Sequence, residues 1–253
     1  MRQILQLPIE TLPGATGRPQ RQLTDYDRAL AGILDDNGNP AWAFFAAPEY
    51  LTGDNVRNLA PNPVVVTTNN GTANGTEVVD DRLFFALPGA RQVWPAMAHP
   101  TDEFTAFAVV RLATSGVAQH FVGTYPVPAS GFAPEYGFNA GAGEPRVWSL
   151  GIVSTLAQYT PAVSLIGRTA LMMWTFSVAR GWSIWENGVE MVNQPAQNNP
   201  FDGGFASGAW RFFNGVRGHV GPFGLLTVDL ARAEHSGSRR RIEAFLMEKY
   251  GIA

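Results

Sequence analysis

The chain has 253 residues, a formal net charge of −3, only 15% charged residues and no cysteine. This charge balance argues against bulk attraction to nucleic acid or to an anionic membrane. The lack of cysteine excludes disulfides and thiolate metal sites. A chain of this length can bury a core without covalent staples, and its 27 glycines and 18 prolines predict many turns.

The first 50 residues differ in pattern from the rest of the chain. Polar residues interrupt the apolar ones at the start, which is unlike a signal peptide, and no run approaches the roughly 18 apolar residues of a membrane span. We therefore expect synthesis in a cytoplasm without a secretory leader. Residues 24–34 have helical apolar spacing. The segment is too small to form a core alone, so residues 1–50 are predicted to be an extended arm or a belt. Residues 51–253 are then the main domain.

From about residue 58 the chain contains many short β-rich runs separated by turn residues. They lie at residues 64–68, 83–87, 104–112, 118–124, 136–138, 147–152, 170–178, 209–213 and 218–229. This spacing is typical of a β-sandwich. Several runs are continuously apolar rather than alternating, which suits strands that are buried on both faces.

Residues 182–192 predict a β-hairpin. Asn187-Gly188 supplies the two positive-φ positions of a type I′ turn, which matches the twist of paired strands. Trp182 and Trp185 have opposite parity on the first strand, so they should face opposite sides of the sheet. Trp182, Trp185 and Asn187 are the predicted contacts for a carbohydrate or a partner. Packing in the core or contact with another protein is the favoured alternative for the two indoles.

Residues 236–251 predict a helix that ends at Gly251. One face of this helix carries an apolar stripe formed by Ile242, Phe245, Leu246 and Tyr250. Three arginines at positions 239–241 oppose the helix dipole, so we expect them to face solvent or an acidic partner.

Three segments resemble a known class of domain. They are residues 103–111 (Glu-Phe-Thr-Ala-Phe-Ala-Val-Val-Arg), the Asn187-Gly188 hairpin, and residues 242–252 (Ile-Glu-Ala-Phe-Leu-Met-Glu-Lys-Tyr-Gly-Ile). Together they resemble concanavalin A-like, or laminin-G-like, jelly rolls of the kind found in bacteriophage structural proteins and bacterial surface proteins. The Ser-Asp-x-Glu cap usual before the last helix is replaced here by Ser-Gly-Ser-Arg at residues 236–239. The resemblance implies an all-β, concanavalin A-like β-sandwich (jelly roll) with an extended N-terminal arm and a short C-terminal helix.

Carboxylate patterns give little support for catalysis. Glycosidases with the fold that the resemblance implies carry Glu-x-Asp-x-x-Glu along one strand, and the chain lacks that motif. Glu186 and Glu190 straddle the hairpin turn, where solvent exposure is the simpler interpretation. We therefore expect no enzyme activity and no catalytic residue.

Metal ligands are also sparse in the sequence. The four histidines lack the spacing of a helical metal pair. Calcium held by Asp54, Asp80, Asp81 and Asp202 is an open alternative, with ordinary turn carboxylates favoured. We expect no metal site and no other cofactor.

These observations favour a non-enzymatic bacteriophage virion protein, such as a capsid decoration, fibre or tail module. It would be located in the virion and would attach through a lectin-like jelly roll. Its partners would be other virion proteins and copies of itself, with a trimer favoured by particle symmetry. The main alternative is a carbohydrate-binding adhesin for host-surface glycans, and a glycoside hydrolase is the least favoured. Neither a nucleic acid nor a membrane is an expected partner.

Overall fold

The computed structural model describes residues 25–30, 32–36, 38, 41–52, 55–56, 58–60, 66–68, 75–89, 93–95, 103–113, 118–125, 133–138, 143–150, 154–195 and 209–253. The helices in this part of the chain are α1 (Asp25–Leu30) and α2 (Ser236–Tyr250), with short 3-10 turns at Pro48–Tyr50 and Ala233–His235. The strands, in chain order, are β1 (Trp42–Ala46), β2 (Leu51–Thr52), β3 (Asn55–Val56), β4 (Val66–Thr68), β5 (Gly75–Val79), β6 (Arg82–Pro88), β7 (Val93–Pro95), β8 (Glu103–Leu112), β9 (Gln119–Tyr125), β10 (Ala133–Phe138), β11 (Pro145–Leu150), β12 (Ser154–Gln158), β13 (Ala170–Ser177), β14 (Gly181–Glu186), β15 (Val189–Gln194), β16 (Ala209–Asn214) and β17 (Arg217–Leu226).

The described strands form two antiparallel sheets. The first, called here the helix-covered sheet, has the order β15-β14-β13-β8-β17-β6-β5, with β1 also paired to β17. A register shift between Val220 and Phe223 lets the first half of β17 pair with β6 and the second half with β1. The second sheet has the order β12-β11-β10-β9-β16-β7-β4-β3-β2. The predicted all-β sandwich is therefore confirmed.

Successive side chains of β8 point alternately into two separate cores, which shows how the sandwich is packed. Ala106 and Ala108 lie in the core between the two sheets, whereas Phe107 and Val109 lie in a second core on the outer face of the helix-covered sheet. Every residue of β13 is buried. The continuously apolar runs are thus strands with both faces covered, as their sequence indicated.

The N-terminal boundary predicted at residue 50 differs from the structure. Strand β1 pairs with β17, and Phe44 is fully buried in the core between the sheets. Tyr26 and Leu30 of α1 pack in the outer core. The sandwich therefore includes β1 and α1, because a strand of large apolar residues is buried best by pairing with an existing sheet. Residues 1–24 lie outside the described residues.

Helix α2 closes the outer core and ends as its sequence indicates. Ile242, Leu246 and Tyr250 are buried against the helix-covered sheet. Gly251 adopts a left-handed conformation with φ 63°. Its N–H donates to Glu248 O, and the Ile252 N–H donates to Met247 O at 2.9 Å, which is a Schellman ending. Within the described residues, neither helix is long and apolar enough to cross a membrane.

Candidate functional site

The two tryptophans of the hairpin lie on opposite faces of β14, as predicted. Trp182 is 3% exposed in the core between the sheets, with its ring centroid 4.3 Å from that of Phe176. Trp185 is 8% exposed in the outer core, where the guanidinium of Arg239 covers its ring. Both indoles are therefore packing residues in this structure, and neither presents a ring face on which a sugar could stack.

Asn187 lies in the predicted turn and at the wall of a cleft. Asn187 has φ 49° and Gly188 has φ 79°, as a type I′ turn requires. The side-chain Oδ1 of Asn187 accepts a hydrogen bond from Leu171 N at 2.9 Å, and the Asn187 N–H donates to Leu171 O. Within the described part of the chain, Nδ2 has no protein acceptor. Its two hydrogens therefore remain available to a ligand.

This cleft, called here the rim cleft, encloses about 500 Å³ at the edge of the helix-covered sheet. Four separate segments build it: the β5–β6 turn, the loop before β13, the β14–β15 turn and the residues that follow α2. Strand β8 contributes Arg111 between them. The polar side chains that line it are Asp80, Arg82, Arg111, Arg168, Thr169, Asn187 and Tyr250.

Arg111 is held at the cleft by a neighbouring carboxylate. Its Nη1 lies 2.8 Å from Asp80 Oδ2 and 3.5 Å from Thr169 Oγ1. Asp80 and Asp81 have positive φ values of 49° and 60°, and this conformation forms the tight turn between β5 and β6. The side chain of Asp80 is 74% exposed, so solvent weakens its attraction to Arg111.

Arg82 is the least neutralised cation of the cleft. Its Nη1 donates to the backbone oxygen of Asp81 at 3.3 Å. Its Nε is buried and has no acceptor among the described residues, and no described carboxylate forms an ion pair with it. Beside it, the hydroxyl of Tyr250 donates to Leu83 O at 2.9 Å. Burial raises the pKa of Tyr250, which keeps this phenol neutral.

Arg168 is anchored by a carboxylate outside the lining. Its Nη2 lies 2.5 Å from Glu186 Oε1, and Tyr159 donates its hydroxyl hydrogen to the other carboxylate oxygen. Burial, together with this hydrogen bond, raises the pKa of Tyr159. The side chain of Glu186 is only 12% exposed, so the expectation that it faces solvent is wrong. The loop before β13 folds back over it and supplies the arginine.

The calcium alternative gains no support from the described carboxylates. Asp80 and Asp81 occupy the β5–β6 turn, and Asp80 is paired with Arg111. In the described ranges, no group of three or more histidine, aspartate or glutamate side chains could hold a metal ion. Asp54 and Asp202 lie outside the described residues.

A second cleft of about 630 Å³ lies near the β13–β14 turn and the segment before α2. Its arginines are already paired. Arg232 lies 3.0 Å from Glu103 and 3.1 Å from Asp36, and these hydrogen bonds, led by that to Glu103, raise its pKa. Arg180 lies 2.7 Å from Glu190. The rim cleft is the better candidate site because its cations are less neutralised.

No local pattern in the sequence marks the three arginines of the rim cleft as site residues. Arg82 and Arg168 stand alone in turn regions, and Arg111 is the last residue of a strand motif noted only for its fold. They converge because β13, β8, β17 and β6 are neighbours in one sheet.

The fold described above, two packed antiparallel sheets with an outer helix, is a β-sandwich of the jelly-roll class. No protein-family model matches the sequence, and no curated protein matches it either. Solved structures with the same fold do exist, at low sequence identity.

Domain 4 of AbnA, a GH43 extracellular arabinanase from Geobacillus stearothermophilus, solved with arabinotriose, has a TM-score of 0.56 and 12% identity, covering 78% of this chain and 97% of that one. Trypanosoma rangeli sialidase in complex with sialic acid has a TM-score of 0.56 and 14% identity, covering 88% of this chain and 37% of that one. A third structure is described as showing that cell entry of botulinum neurotoxin type C depends on interaction with two ganglioside molecules. It has a TM-score of 0.54 and 7% identity, and the match covers 79% of this chain and 51% of that one. The chain thus spans about a third to a half of the latter two proteins. At these identities the likeness shows the fold alone.

Proposed function

We propose that this chain is a glycan-binding β-sandwich and that the rim cleft is its binding site. The observation that carries the proposal is the convergence of polar side chains from four distant segments on one cleft of about 500 Å³. Ligand sites are typically concave and combine a formed wall with a few convergent polar groups. The free Nδ2 of Asn187 and the hydroxyl of Thr169 are suited to hydrogen bonding with sugar hydroxyls.

The structural neighbours support the choice of ligand class. The arabinanase domain was solved with arabinotriose, the sialidase with sialic acid, and the neurotoxin is described as depending on gangliosides. Each of these ligands is that of the protein named with it. Their common feature is a sugar ligand, and this favours a glycan over other polar small molecules for the rim cleft.

We propose binding without catalysis. Hydrolysis of a glycosidic bond ordinarily uses two carboxyl groups on either side of it. Among the described lining residues, Asp80 is the one that carries a side-chain carboxylate. Glu186 lies outside the lining and is engaged by Arg168 and Tyr159. A mass-spectrometric search for cleaved products of each bound glycan tests this proposal, and a product formed at catalytic rates would contradict it.

We further propose that the module acts in a virion, as a decoration, fibre or tail component that is homo-oligomeric and attaches to host-surface glycans. The resemblance of residues 103–111 and 242–252 to phage jelly rolls supports this setting. Proteomics of purified particles and mass photometry of the protein test it. Detection in the particle and a closed oligomer, with a trimer favoured, are the expected results. Absence from particles would contradict it.

The binding proposal is tested by a glycan array with the purified chain, followed by calorimetry on the bound glycans. Asn187→Asp keeps the Oδ1 acceptor for Leu171 N and tolerates the left-handed backbone, but it removes both Nδ2 donors. We expect it to weaken binding by about tenfold.

Asn193→Asp is the matched control for this test. Asn193 is an exposed residue of β15 that does not line the rim cleft, so its substitution should leave the affinity within about twofold. Either an array with no bound glycan or equal effects of the two substitutions would overturn the assignment of the site.

A further inference from the structure

We propose that the sugar bound in the rim cleft carries a negatively charged group, a carboxylate, sulfate or phosphate, which Arg82 and Arg111 bind. This inference rests on the proposed function, because it names the ligand class of the same site. The evidence for it is the charge of the side chains that line the cleft and the ion pairs that they form.

The charges that line the cleft are unequal. The lining side chains carry three guanidinium groups, those of Arg82, Arg111 and Arg168, and one carboxylate, that of Asp80, and the last residue, Ala253, adds its main-chain carboxylate to the same lining. Asp80 is mostly exposed and pairs with Arg111 alone among these arginines. Because Arg168 pairs with Glu186, Arg82 is the arginine of the cleft that forms no ion pair within the described residues. An unpaired guanidinium in a partly enclosed site attracts anions, and the low-dielectric walls strengthen that attraction.

Arg82 is the arginine of the cleft whose hydrogen-bond donors are least satisfied by the protein. Its side chain is half-buried, its Nε lacks an acceptor in the described ranges, and its one side-chain hydrogen bond is to a backbone oxygen. Nε is closed to a ligand, whereas Nη2 makes no hydrogen bond within the described residues and is not among the buried atoms. An oxyanion in the cleft would supply an acceptor for Nη2. The planar fork of donors on arginine matches carboxylate, sulfate and phosphate groups.

Arg111 and Arg168 take different parts in this site. Arg111 reaches the cleft from β8 and shares its charge with an exposed aspartate, so it can accept a second anion without losing a buried partner. Arg168 is bound to the largely buried Glu186 and to the backbone oxygens of Val163 and Ser164. It therefore fixes the loop before β13, and Arg82 and Arg111 are the better residues to test.

The size of the cleft favours a sugar over a bare ion. About 500 Å³ falls in the range of small-molecule sites. Asn187 and Thr169 line the same cleft, so hydroxyl groups on the ring that bears the anion would have polar partners.

The experiment compares matched ligands on wild-type protein and on two variants. Acidic glycans bound on the array (uronic or sialic acids, sulfated sugars, phosphorylated sugars) are each paired with a neutral counterpart in which the acid is reduced or removed. The proteins are wild type, Arg82→Gln/Arg111→Gln and the control Arg241→Gln, which makes the same kind of charge change on the exposed side of α2.

We expect wild type to bind at least one acidic glycan about tenfold or more tightly than its neutral counterpart. The double variant should lose that preference, and Arg241→Gln should keep it. Affinity for the acidic glycan should also fall as salt rises from about 50 to 500 mM, because screening weakens charge pairs. The class of acid that binds distinguishes carboxylate, sulfate and phosphate.

Two outcomes would overturn the inference. If wild type binds only neutral glycans, or binds acidic and neutral forms equally, the inference fails and the glycan-binding proposal stands. If the double variant remains folded and binds the acidic glycan like wild type, Arg82 and Arg111 are not its ligands. An array with no glycan bound would overturn the proposed function itself. Thermal unfolding of each variant establishes that a loss of binding is not a loss of fold.

Discussion

The guanidinium carbon of Arg239 lies 3.8 Å from the centroid of the Trp185 ring. One turn further along α2, Glu243 Oε1 lies 3.2 Å from Arg239 Nη1, and both side chains are nearly buried. Arg239 was expected to face solvent or an acidic partner, and its acidic partner belongs to its own helix. The contact between Arg239 and Trp185 covers the indole and packs α2 against the helix-covered sheet.

Removing Arg239 should therefore destabilise the protein. Arg239→Ala removes the cation–π contact and leaves Glu243 buried without its cation, so we expect the free energy of unfolding to fall by about 2 kcal/mol. Urea unfolding at neutral pH measures the change. Arg241→Ala, on the exposed side of α2, should change stability by less than about 0.5 kcal/mol. Equal effects of the two substitutions would show that the contact contributes nothing.

Asp229 should give stability a distinct pH dependence. It is fully buried, and burial raises its pKa, although hydrogen bonds from the Ser177 hydroxyl and the Ala231 N–H oppose the shift. A raised pKa means that the folded state holds the proton more tightly than the unfolded state. The contribution of this group is therefore full below its ordinary pKa and is lost as pH rises through the folded value.

Comparison with Asp229→Asn isolates that contribution. The amide preserves an acceptor for Ala231 N and does not ionise. Measured by urea unfolding, the stability of wild type relative to the variant should fall as the pH rises above about 4, the ordinary pKa of an aspartate. A difference that stays constant or rises over this range would contradict the direction of the pKa shift.

The hairpin turn should tolerate no side chain at Gly188. Its φ of 79° is unfavourable for other residues, and an added Cβ would lie 3.4 Å from Glu243 Oε2. We expect Gly188→Ala to lower the free energy of unfolding by about 1–2 kcal/mol. Gly237→Ala, in the first turns of α2 with nothing within 4 Å, should instead raise it by about 0.5 kcal/mol. If the two alanines have the same effect, backbone strain at the turn is not the cause.

Strand β1 should be indispensable to the sandwich. Phe44 is fully buried between the sheets, with its ring centroid 5.1 Å from that of Phe212. We expect Phe44→Ala to lower the free energy of unfolding by about 3–5 kcal/mol, and deletion of residues 1–50 to abolish cooperative thermal unfolding. Leu34→Ala, at a residue that is 44% exposed, is the control with little effect. A folded deletion variant would restore the view of residues 1–50 as a separable arm.

Local features were predictable because neighbouring residues produce them. Asn187-Gly188 forms the predicted turn since only certain residues adopt positive φ cheaply. The opposite faces of Trp182 and Trp185 follow from the two-residue period of a strand. Gly251 ends α2 for the same conformational reason as the turn. Together with the apolar runs, these features were sufficient to predict a β-sandwich.

The tertiary structure decided everything that depends on which strands become neighbours. Pairing of β1 with β17 brought Phe44 into the core, and packing of α2 on the sheet buried Arg239 over Trp185. Arg82, Arg111 and Arg168 are far apart in sequence and meet only because the sheet order places their strands and turns at one rim. The sequence alone determined the class of fold, because periodicity and turn chemistry are local. The site required the folded chain, because strand order and the charges it brings together depend on distant residues.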